Sequence, residues 1–257
     1  MNFFRGLLLS VLLLGAARAG SPEVVLLRPG EELTYRVSWG WFGQAGELKV
    51  AAADALTGMR QTRVTTTSGT RGFMRAFYRF DGEARMLFDA HDGRLLSSTA
   101  TSDSGRERTQ TSIVFNYAKS EAAYVDHLHP ARNVSLPIPD GRPLDVATGL
   151  MQTRVWALKP GESRDVLVVF ENEFYPLHIT AERVETVQTA DGPRNAVLLV
   201  PHPVGPPKGM FRRDGKVRVW VSDDADRLPV RFEVKLKIGT VRAVLTDYHA
   251  APEPTGR

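Results

Sequence analysis

The sequence predicts a mainly β fold: a curved antiparallel sheet or half-open β-barrel packed on one central α-helix. Three observations predict it. Apolar and polar side chains alternate in many short runs, the period of strands that bury one face. Asp-Gly and Ser-Gly pairs separate these runs at hairpin spacing. A single stretch, opening at Asp145, carries helical spacing instead.

The chain starts with MNFFRGLLLSVLLLGAARA, in which Arg5 precedes an apolar run from Leu7 to Leu14 and Ala17 and Ala19 precede Gly20. Such a pattern marks a cleaved secretory signal peptide over 1–19. The apolar run is far shorter than the ~20 residues that cross a bilayer, and no later segment approaches that length. The expectation is export without a transmembrane anchor, to the periplasm of a Gram-negative cell. One β-rich domain then spans 20–250, with a disordered tail at 251–257.

From Glu32, Leu33, Tyr35, Val37 and Trp39 alternate with Thr34, Arg36 and Ser38. A hairpin turn at 40–43 carries Trp41 and Phe42, and Leu48, Val50 and Ala52 alternate again beyond it. Further strands are expected at 62–67, 77–80, 84–88, 95–101, 109–117 and 122–126, separated by turns at Asp81-Gly82, Asp92-Gly93 and Ser104-Gly105. DVATGLMQTRVWAL then places Ala147, Leu150, Met151, Val155 and Leu158 at helical spacing, with Asp145 as N-cap and Lys159-Pro160-Gly161 as the stop. Gly149 weakens this helix by about 1 kcal/mol relative to Ala, pointing to close packing on a sheet or to an inefficient turn. Strands follow at 165–170, 177–189 and 195–200, the last two joined by a turn at Asp191-Gly192. The prolines and glycines of 201–215 read as an exposed loop without regular structure. Three strands close the domain at 217–221, 230–238 and 241–248, with a turn at Ile238-Gly239-Thr240.

The 257 residues are 42% hydrophobic and 24% charged, enough apolar content for a substantial core. Cysteine is absent, which excludes disulfides, thiol redox chemistry and a lipid-bearing cysteine. The net charge of +4 is spread without long single-sign blocks, and no nucleic-acid motif accompanies it, so no nucleic-acid partner is expected. G-x-S-x-G, a phosphate-binding glycine loop and a dinucleotide fingerprint are all missing, and no cofactor is implied.

Three constellations invite chemistry. In VWVSDDADRLPV, Asp223 and Asp224 could act as paired carboxylates. Adjacent strand residues point to opposite faces, however, so a turn is favoured, with Ser222 and Asp223 bonding backbone N–H groups. His127 and His129 share the spacing of one strand face but lack a third ligand, and no metal is assigned. Trp39, Trp41 and Phe42 could line the mouth of an apolar or sugar site, with core packing the simpler role for Trp39. Arg154 lies beside the apolar stripe of the helix and needs an anion. Asp223 or Asp224 is the candidate for a structural clamp between helix and sheet.

The strand Tyr35-Arg36-Val37-Ser38-Trp39-Gly40, the helix from Asp145 to Arg154 followed by Pro160-Gly161-Glu162, and Trp220-Val221-Ser222-Asp223-Asp224 with Arg227, Pro229 and Val230 together resemble the bacterial domain of unknown function 3108. Val221 stands where the family's usual form has Leu. The resemblance covers roughly 30–248 and implies an exported β-rich protein, similar in architecture to the open-barrel lipoprotein carriers of the periplasm, with no catalytic residues to carry over.

The functional expectation is a non-catalytic envelope binding module for a lipid, acyl chain or other apolar ligand. The alternatives are an envelope-polysaccharide enzyme using paired carboxylates, and a structural protein that docks an envelope partner.

Overall fold

The alternating runs become consecutive strands of one open sheet. In a computed structural model that describes residues 27–40, 43–55, 59–206, 216–236 and 239–252, the first arm is β1 (Glu32–Trp39), β2 (Gln44–Asp54), β3 (Gln61–Thr70), β4 (Asp81–Asp89), β5 (Leu95–Asp103), β6 (Arg108–Asn116), β7 (Glu121–Asp126) and β8 (Val134–Pro137). The second arm is β9 (Pro143–Asp145), β10 (Ser163–Phe170), β11 (Glu173–Thr189), β12 (Gly192–Pro203), β13 (Lys216–Ser222), β14 (Pro229–Leu236) and β15 (Gly239–His249). The leader at 1–19, Trp41 and Phe42, residues 207–215, Ile238 and the tail from 253 lie outside the described residues.

Each arm is a meander. Their first and last strands, β1 and β15, pair to join them, so the order runs β8 to β1 and then β15 back to β9. Every pairing is antiparallel except that of β9 with β10, whose crossover holds helix α2 (Val146–Trp156). The register is fixed by burial: Leu33 and Tyr35 are fully buried and face Val50 and Leu48 on β2 and Tyr248 and Leu245 on β15. A slip of one residue would send this whole set to the other face. At the hairpin tips, Gly105 and Gly192 take φ of +75° and +106°, which a side chain would resist.

The main core draws on both arms, with Val64, Met86, Phe88 and Leu95 from the first and Leu198, Trp220, Val230 and Leu245 from the second. Strand β12 shows why its run Ala196-Val197-Leu198-Leu199 is continuously apolar. Ala196 and Leu198 join the main core while Val197 and Leu199 join a second cluster with Leu177, Ile179 and Val221, so both faces are covered. The arms also meet at their far ends, where β5 touches β9, Arg142 Nη1 donates to the Asp92 carbonyl at 2.6 Å and Arg132 Nη2 lies 3.4 Å from Glu171 Oε2.

Helix α2 packs against β9, β10, β13 and β14. The Asp145 carboxylate accepts from Ala147 N at 2.8 Å, capping it as the sequence implied. Its buried side differs from the expected stripe: Thr148, Met151, Gln152 and Thr153 are buried, whereas Val155 is exposed. Two of these polar residues turn inward because their hydroxyls are satisfied locally, Thr148 Oγ1 on Asp145 O at 3.1 Å and Thr153 Oγ1 on Leu150 O at 2.7 Å. The helix stops at Ala157, in the left-handed region at φ +51°, before Leu158 and the Lys159-Pro160-Gly161 signal are reached.

Other expectations are corrected. A second short helix, α1 (Gly72–Phe77), occupies part of the strand expected at 77–80. Phe73 and Phe77, and Arg71, Arg75 and Arg79, are spaced four apart, a helical rather than a strand interval. Asp81-Gly82 opens β4 instead of turning the chain, since both residues pair with β3. Pro201 and Pro203, read as loop, belong to β12. They pair only with β11, because β13 meets β12 no further than Leu199, and no ladder bond from their missing N–H is needed. Strands β8 and β9 are too short to have left a periodic signal. Among the described residues, no helix is long and apolar enough to cross a membrane.

Candidate ligand cavity

Beside α2 the structure forms a half-open cavity of about 460 Å³. Its lining follows mainly from strand parity, for most of its strands contribute side chains two residues apart, among them Leu48 and Val50, Val166 and Val168, Leu177 and Ile179, Val217 and Val219, Phe232 and Val234. The helix adds Val146, Gly149, Leu150 and Thr153. At Gly149 an added Cβ would meet only Val168 Cγ2 at 3.8 Å and Leu144 Cβ at 3.9 Å, ordinary contact distances. Close packing therefore does not require this glycine, and its missing side chain leaves room in the cavity.

Three of the polar side chains of the lining are engaged with the protein. Tyr175 Oη donates to Glu173 Oε2 at 2.9 Å, and Thr153 and Asp145 serve the helix backbone as above. Burial pushes the Asp145 carboxyl above its ordinary value, against the opposing pull of the backbone N–H groups it accepts from. Trp39 does not line this cavity. It is half-buried, its ring 3.2 Å from the position a Cβ on Gly239 would occupy, and its expected companions Trp41 and Phe42 lie outside the described residues.

The carboxylates of the Ser222-Asp223-Asp224 loop hold a turn. Asp224 Oδ1 accepts from Ser222 Oγ at 2.7 Å, Arg227 N at 3.1 Å and Asp226 N at 3.2 Å. The Ser222 hydroxyl accepts in turn from Leu228 N at 2.9 Å, and the Leu228 carbonyl accepts from Ser222 N at 2.8 Å, closing the loop. Asp223 is exposed and neither acid lines the cavity, so the pair does not converge on a common groove. Pro229, buried, opens β14 directly behind this loop.

Arg154 is clamped, but by a different acid. Its Nη1 lies 2.5 Å from Oε1 of Glu31, which is 1% exposed, and Tyr248 Oη donates to the same oxygen at 2.8 Å. Arg154 Nε also reaches the Asp226 carbonyl at 3.2 Å, touching the loop through its backbone rather than through Asp223 or Asp224. The correction has a physical reason: Asp224 is consumed by its own turn, while Glu31, just before β1, is buried within reach of both Arg154 and Tyr248. Trp220 is held comparably, its Nε1 2.5 Å from Glu185 Oε1 and its ring beneath the Arg231 guanidinium at 4.4 Å. That indole donor keeps the Glu185 carboxyl below its usual range.

His127 Nε2 bonds Ser112 Oγ at 3.0 Å and His129 Nδ1 lies 3.5 Å from Asp126. Among the described residues, no three His, Asp or Glu side chains gather as a metal site would require.

Comparison with known proteins places the fold. A β-barrel-like protein of domain of unknown function DUF1849 from Brucella abortus superposes with a TM-score of 0.59 at 8% identity, covering 88% of this chain and 100% of that one. The hypothetical protein CT021 from Chlamydia trachomatis (TM-score 0.34, 10% identity, 90% and 93% covered) and a protein with a YmcC-like fold from Bacteroides fragilis (0.33, 10%, 87% and 97%) are too distant to inform the architecture. No curated protein matches the sequence. The pattern of the family described as Protein of unknown function (DUF3108) matches residues 34–246, nearly the span that the Tyr35, Asp145 and Trp220 motifs marked out, and the chain belongs to that family.

Proposed function

We propose that this protein is a non-catalytic binding module of the cell envelope, sheltering a lipid, acyl chain or other apolar ligand in the cavity beside α2. In this reading the curled sheet is a half-open barrel with α2 lying across it, and the leader at 1–19 delivers the chain to the periplasm. The observation that carries it is the lining. The side chains facing the space are nearly all hydrocarbon, and the Asp145, Thr153 and Tyr175 polar atoms are occupied by the protein itself. The volume falls within the ~300–1,000 Å³ of small-molecule sites, and an apolar space of this kind gains dispersion contacts and sheds poorly bonded water when filled.

The test is to purify the protein without detergent and weigh it by native mass spectrometry before and after solvent extraction. An extractable adduct of lipid mass is expected, and it should vanish in Gly149→Leu, whose side chain would occupy the space. Failure of the wild-type chain to carry an adduct or to take up pyrene, an apolar fluorescent probe, would sink the reading.

A further inference from the structure

The apolar cavity adjoins a second compartment of about 510 Å³, with Trp156, Val166 and Leu177 lining both. The second compartment also receives Gln152 from α2. Gln152 and Trp156 are one helical turn apart and so share a side of the helix. Gln152 is 2% exposed, and its Oε1 has no hydrogen-bond partner among the described residues; the same holds for Trp156 Nε1. An unpaired buried polar atom is costly and rare in a folded protein. Here an amide and an indole N–H stand unpaired on consecutive turns beside one space, where two apolar side chains would be more stable.

The charges around the compartment balance. Arg142 and Arg164 stand against Asp140 and Asp165. Arg142 already donates to Asp92 O, Arg164 lies over the Trp156 ring at 5.5 Å, and Asp165 Oδ1 is 2.6 Å from His178 Nδ1. Nothing here selects an anion. We propose that this compartment receives an uncharged head group that both donates and accepts a hydrogen bond, an amide or a hydroxyl, on a chain whose apolar part fills the neighbouring cavity. The inference rests on the apolar-ligand reading above. The indole N–H donates to the head group and the Gln152 carboxamide accepts from it. Were the carboxamide turned over, a head group with both capacities would still be satisfied.

The experiment displaces pyrene from the full chain with matched pairs: N-methyldodecanamide against N,N-dimethyldodecanamide, and 1-dodecanol against its methyl ether, with dodecanoate as the charged control. The donor-bearing member of at least one pair should displace pyrene at about five- to tenfold lower concentration, the size of one hydrogen bond, and the pair that shows the gap names the head group. In Gln152→Leu the gap should close while pyrene affinity holds and the denaturation midpoint of the unliganded protein rises; Trp156→Phe should weaken both members of the pair alike. Equal displacement within both pairs, a preference for dodecanoate, or a Gln152→Leu protein that is less stable with its preference intact would overturn the head-group assignment alone. A wild-type chain that never takes up pyrene would instead remove the apolar-ligand reading, and this inference with it.

Discussion

Glu31 and Arg154 form a buried ion pair, and such pairs are far more costly to break than to replace. Glu31→Gln or Arg154→Met alone should destabilise the fold by about 3–5 kcal/mol, because each leaves a polar or charged partner uncompensated. The double replacement Glu31→Leu with Arg154→Met should recover most of that loss, and urea denaturation of the three variants checks it. The need of Arg154 for an anion was legible from its place on the helix. The identity of that anion was not, since Glu31 lies 123 residues earlier and no local pattern joins them. Asp81 offers a test in pH. Two hydrogen bonds from the Arg75 guanidinium, partly offset by desolvation, hold its carboxyl at about 2 against an ordinary 3.8. A depressed acid stabilises the fold above its unfolded value and ceases to do so as pH falls through the folded one. The denaturation midpoint should therefore fall between pH 3.8 and 2, and Asp81→Asn should flatten that segment of the profile.

At the level of elements, α2 was the most readable feature: its place and its cap were legible, whereas its buried side and its exact stop were not. Gly149→Ala should stabilise it by about 1 kcal/mol, as the new methyl meets only ordinary contacts. Asp145→Ala should cost about 0.5–2 kcal/mol through loss of the cap. Thermal unfolding of the two variants checks both signs, and a destabilising Gly149→Ala would mean that the cavity wall is tighter than described. Helix α1 was hard to read because its six residues are too few to repeat the four-residue interval of Phe73 and Phe77, and it buries only Met74. The cavity was invisible for a related reason. Its walls come mainly from alternate residues of seven strands whose apolar character serves core and cavity alike, and only the sheet's curl distinguishes the two.

For the whole molecule, strand existence was legible from alternation and turn chemistry, but the strand order was not. No residue of β1 announces that its second neighbour is β15, roughly two hundred residues away; the pairing of Leu33 with Tyr248 emerges only when both arms curl onto one core. Contacts of such long separation slow folding, and refolding in milliseconds to seconds is expected by stopped-flow fluorescence of the tryptophans. Truncation before Gly239 should abolish cooperative unfolding in both arms, since β15 pairs with β1 on one side and β14 on the other.

That seam has one more consequence. Gly30 and Pro252 lie side by side, so close that a methyl on the glycine would strike the proline ring at 2.7 Å. The described chain is in effect a closed circuit: ligated there through a short linker and reopened at the Asp191-Gly192 tip, it should refold to the same sheet. In the natural order, by contrast, the earliest described strand has no permanent neighbour on one flank until the last described one is made.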